Sequence, residues 1–182
     1  MSTVDTEGPE PVAWPEHVVS ELLDGGLAVV HHWYGRTVWP LLGHADVAAL
    51  HLRGTPVPAE TWRETLEPAL RDVYRRAYPY DDAYATAAAA AGGFALAHGY
   101  SEAEATEYGE TYAATNTDAN VTAHADANAA ANAAALAAAF AAADVTAYAA
   151  TYPAAFVRAC VLAGGPGARQ RLADGLRAIL TP

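Results

Sequence analysis

The sequence predicts an all-α fold: an alanine-rich, closely packed helical bundle or short helical array, preceded by a less regular helical part. Three observations predict it. Between Tyr80 and Gly164 a larger or polar side chain recurs at every fourth position with mostly alanine between, running through Tyr100, Tyr108, Tyr112, Leu136, Phe140, Tyr148, Tyr152 and Phe156. Spacing of four keeps side chains on nearly one face of a helix. Alanine, the strongest helix former, fills 23 of the 50 positions from 101 to 150. Gly109 is the one glycine or proline between Ser101 and Ala143.

The elements follow in order. Residues 1–14 read as a flexible lead, because Pro9 and Pro11 punctuate a polar stretch with nothing to bury before Val18. Residues 15–182 read as one helical domain, with an aromatic and arginine-containing part over 15–78 and the alanine-patterned part over 79–182. Pro15 and Glu16 precede apolar residues at helical spacing, and Gly25–Gly26 closes that first helix. Leu27–Leu42 mixes β-branched and aromatic residues and fits either strand or helix, with Gly35 and Pro40 interrupting both; helix is favoured. Ala45–Leu52 is a short helix stopped by Gly54 and the Pro56/Pro58 pair.

Trp62, Leu66, Leu70 and Val73 make an apolar stripe along Ala59–Tyr78, in which Pro68 is expected to kink or split the helix. Asp82–His98 is a helix closed by Gly99. Ser101 and Glu104 then have the form of a capping box. An unbroken helix from there to Ala143 would run roughly 65 Å, against roughly 40 Å for a compact domain of this size. A break is therefore expected at Thr115–Asp118, whose residues are poor helix formers and good caps. Asp144 offers a fresh start, Gly164–Gly167 a stop, and Ala168–Leu180 a last amphipathic helix burying Leu172, Leu176 and Ile179.

Composition narrows the function classes. All ten basic residues are arginine, which with the alanine content reads as a GC-rich, bacterial coding sequence. The net charge of −11 is uneven: from Ala77 to Val157 there are nine carboxylates and no arginine, so this half repels phosphates and anionic lipid, and neither nucleic acid nor membrane is expected as a partner. Cys160, the single cysteine, rules out an internal disulfide and reads as a buried apolar residue. No apolar leader stands at the N-terminus, which points to the cytoplasm. The run Ala83–Leu96 lacks charge but is too short and weakly hydrophobic for a membrane span.

One row carries candidate chemistry. Asn116, Asn120, His124, Asn128 and Asn132 are five consecutive polar beats after Tyr112, and asparagine does not favour helix interiors. Exposed, the row is a solvated face; buried, it needs a hydrogen-bonded ladder or a polar ligand. In the ligand case Tyr108 or Tyr112 stands at the mouth. Asp118, Thr122 and Asp126 form a second row beside it. His31, His32, His44 and His51 would need to converge with a carboxylate such as Asp46 or Glu64 to hold a metal or move a proton.

No phosphate loop, nucleophile elbow or dinucleotide fingerprint is present, and no catalytic residue, metal or cofactor is indicated. The expectation is a non-enzymatic helical interaction or scaffold protein with a protein partner or self-association. The alternative is a small-molecule-binding or enzymatic bundle using Asn120, His124 and Asn128.

Overall fold

In the computed structural model, which describes residues 14–181, helix follows helix with no strand among the described residues. Of these residues 85% are helical, and the all-α class holds. The expected lead lies outside the described residues except for Trp14, which opens the first helix.

Helix α1 (Trp14–Trp33) is interrupted at Gly26, whose backbone at φ 74° and ψ 179° is open to glycine. A π-helical turn (Tyr34–Val38) and the short α2 (Trp39–Leu42) continue the chain, so 27–42 is helical throughout. After α3 (Ala45–His51) comes α4 (Ala59–Ala77), which runs through Pro68 as one helix. The expected split does not occur because Pro68 sits on the solvent side, where water reaches the carbonyl it leaves unbonded. The opposite face buries Trp62, Leu66, Leu70 and Val73, at about 1.5–3 kcal/mol per large side chain, which outweighs about 3 kcal/mol for an interior proline.

Next come α5 (Tyr80–Ala97), α6 (Glu102–Ala142), α7 (Val145–Ala149), α8 (Pro153–Ala163) and α9 (Ala168–Leu180). The capping box forms as the sequence expects: the Ser101 hydroxyl accepts from the Glu104 amide, and the Glu104 carboxylate accepts from the Ser101 amide at 2.9 Å. Asp144 caps α7 by accepting from the amides of Thr146 and Ala147.

The expected break at Thr115–Asp118 is absent. Helix α6 is continuous over 41 residues, about 61 Å at the helical rise. The expectation rested on a compact outline, and the molecule does not keep to one. Two helices in succession cover α6, with α5 antiparallel to its first half and α4 antiparallel to its second. Tyr78 and Pro79 leave the helical conformation and form the elbow between α4 and α5, Pro79 being extended.

Along α6 the buried face is Ala105, Gly109, Ala113, Thr117, Ala125, Ala129, Ala133 and Ala137, one residue after the larger beat. Methyl-only contact lets the backbones close up: a Cβ on Gly109 would strike the carbonyl oxygen of Ala88, and one on Gly92 would lie 3.2 Å from that of Ala105. The aromatic beats divide accordingly. Leu136, Phe140, Tyr148 and Phe156 are core, whereas Tyr100, Tyr108, Tyr112 and Tyr152 are exposed. In the first half of α6 only α5 lies alongside, so the large beats rim the contact there instead of filling it.

The main apolar core draws on α1, the π-helical turn, α2, α3, α4, α7, α8, α9 and α6 from Ala125 onward, and it takes nothing from residues 80–124. Helix α5 has α6 as its one substantial partner. The chain thus has a packed body and a two-helix arm, α5 with the first half of α6.

Candidate functional site

The arm carries a groove of about 730 Å³ along the seam between α5 and α6. Its α5 wall follows a single helical face from Pro79 through Ala83, Ala87 and Ala91 to Phe94, a run of about 22 Å. Tyr108, Tyr112, Thr117 and Asn120 line it from α6, and Tyr78 closes the end at the α4–α5 elbow. Because the helices are antiparallel, Asp82, Thr117 and Asn120 gather near the elbow, while Phe94 and Tyr108 stand at the far end. The sequence makes such a groove by putting small side chains, alanine and Thr86, on the α5 wall between its few aromatic residues.

Two features separate this groove from an incidental crease. Thr117 is 2% exposed, yet its hydroxyl has no hydrogen-bond partner. An unpaired buried hydroxyl carries a desolvation cost of about 1–3 kcal/mol. In addition, Tyr78, Phe94, Tyr108 and Tyr112 all remain exposed around the groove. A second hollow of about 330 Å³ shares Tyr78, Ala83, Asn120 and Val121 with the first and adds Tyr74 and His124.

The row expected from sequence is distributed over several roles. Tyr112 and Asn120 line the groove, and Asn120 and His124 line the second hollow, where His124 meets the Tyr78 ring edge-on at 6.0 Å. Asn116 and Asn128 turn their amides back onto their own helix, donating to the carbonyls of Tyr112 and His124 at 2.8 Å. Asn132 donates to the Tyr74 hydroxyl at 2.6 Å and ties α6 to α4. Burial pushes the Tyr74 hydroxyl up to about 12, so it stays protonated. In the neighbouring row, Asp126 pairs with Arg71 at 2.7 Å and with Arg75 at 3.5 Å. That carboxylate therefore holds helices together.

Tyr78, Asp82, Phe94 and Thr117 were not among the residues expected at a site. Asp82 follows Asp81 in the first turn of α5, where a carboxylate is explained by the helix dipole alone. Thr117 differs from other threonines only through what faces it.

A further polar feature lies inside the body. His31 and His51 meet through their Nδ1 atoms at 2.9 Å, packed against Trp62 and Phe140. Burial holds His51 well below the ordinary histidine range, with His31 adding to it, and burial followed by His32 lowers His31. A neutral pair supplies the single proton their contact needs. Nearby, the hydroxyls of Tyr34 and Tyr148 are bonded at 2.8 Å, and burial raises both above the usual phenol range. His44 does not join this group; it faces Asp72 at 2.9 Å. Among the described residues no three histidine, cysteine or acidic side chains converge on one point, and no helix is long and apolar enough to cross a membrane.

No family model, curated protein or solved structure matches the chain.

Proposed function

We propose that this chain is a binding protein that takes an elongated, largely apolar small molecule into the α5–α6 groove. The observation that carries this reading is the groove itself: its volume, about 730 Å³, falls within the roughly 300–1,000 Å³ common for ligand pockets, and its walls are mostly alanine and aromatic. The groove runs for about 22 Å along α5, a length that suits a slender, extended chain.

Dodecanol titrated against the protein, followed by displacement of a fluorescent naphthylamine, tests the proposal. Saturable binding in wild type, lost in Ala91→Trp without loss of helical signal, is the expected result. Equal binding in wild type and Ala91→Trp would remove the groove from consideration.

A second reading draws on Phe94, Leu96 and Tyr100, exposed by 58%, 49% and 51% at the far end of the arm. These residues suit a protein contact. The excess of carboxylates over arginine in 77–157 directs that contact toward a basic partner more than toward a second copy. Sedimentation showing a monomer at micromolar concentration is expected, and a stable dimer that Tyr100→Ser dissolves would favour self-association.

A further inference from the structure

Building on the groove reading, the geometry points to an amphiphile whose head is a hydrogen-bonding amine, seated at the elbow with its chain running toward Phe94. The groove is polarised along its length. Its polar elbow end holds the Asp82 carboxylate, the Asn120 amide and the buried, unpartnered hydroxyl of Thr117. From Ala87 to Phe94 the α5 wall is apolar, and only the tyrosine hydroxyls opposite interrupt it.

Charge then selects the head. Asp82 is the one charged side chain lining the groove. No arginine or lysine lies between Ala77 and Val157, and the nearest arginines before that span, Arg75 and Arg76, are turned to Asp126 and Asp72. A carboxylate or phosphate head would meet Asp82 with no arginine or lysine lining the groove to offset it, whereas an ammonium meets an opposite charge at the end that Tyr78 closes. Such a head also donates several hydrogen bonds, which the Thr117 hydroxyl and the Asn120 carbonyl can accept. An alcohol satisfies the hydrogen bonds without the charge and ranks second.

The test compares dodecylamine, dodecanol and dodecanoate for displacement of the fluorescent naphthylamine, in wild type and in Asp82→Asn, Glu107→Gln and Thr117→Val. The expected order is amine, alcohol, carboxylate. Asp82 is exposed, so Asp82→Asn is expected to weaken the amine by about two- to fivefold and leave the alcohol unchanged. Glu107→Gln removes the same charge from an exposed position outside the groove and is expected to change neither. Thr117→Val is expected to weaken amine and alcohol alike while the melting temperature holds or rises.

Equal affinity for the three heads overturns the inference and leaves the groove reading standing. Equal loss in Asp82→Asn and Glu107→Gln overturns it too, because the preference would then be diffuse attraction to an acidic arm. Unchanged affinities in Thr117→Val overturn the placement of the head at the elbow. If none of the three chains binds wild type, both the inference and the groove reading fall.

Discussion

A single proton decides whether the His31–His51 contact is favourable. With one ring donating and the other accepting, the neutral pair is satisfied at its Nδ1 atoms, while a doubly protonated pair would point two donors at each other across 2.9 Å. Both folded-state pKa values lie below the ordinary 6.5, so the unfolded chain takes up these protons first as pH falls. Stability from the pair is therefore fully present above about pH 6.5 and is lost progressively below it. The loss approaches about 1.4 kcal/mol per pH unit for each ring that stays neutral. Urea melts between pH 7 and pH 5 should show this slope, and His51→Phe should flatten it. A slope that survives in His51→Phe would place the titrating groups elsewhere.

At the scale of elements, the α5–α6 seam depends on residues with no side chain to spare. Gly109→Ala drives a methyl into the Ala88 carbonyl, a backbone atom that cannot swing away. It is expected to destabilise by about 1–3 kcal/mol, read from a denaturant melt. Ala138→Leu is the contrast, because Ala138 is exposed and the larger side chain should stay within about 0.5 kcal/mol.

The same seam shows what sequence could and could not disclose. Helix identity, the Ser101 cap, and the stops at Gly99 and Gly164–Gly167 are local matters, and they were legible. Continuity through Thr115–Asp118 was not, because a mediocre helix former is carried along when α5 and α4 cover it on either side of the elbow. Nor does spacing of four say which of four columns is buried; that depends on where the partner helix lies. The groove was half legible through Tyr108, Tyr112 and Asn120, but its other wall is alanine, which carries no chemical label. Asp82 was hidden by a sufficient local explanation as a first-turn acid.

In the whole molecule, body and arm are held by different means. The body packs tryptophan, tyrosine, leucine and valine from eight helices, whereas in α5 only Ala95 is buried. Methyl contacts bury little area, so the arm is expected to open locally at lower free energy than the body unfolds. Hydrogen exchange should find α5 amides exchanging well before those of α4 and α8, with protection of α5 rising when the groove is filled. Uniform protection across α4 and α5 would mean that arm and body unfold as one unit. The arm's lack of basic residues has a practical consequence for such experiments. Trypsin has no site between Arg76 and Arg158, so even a fully opened arm stays uncut within that span and digests as though it were the most resistant part of the chain. Chymotrypsin, which cuts after the exposed tyrosines at 80, 100, 108 and 112, is the protease that reports its opening.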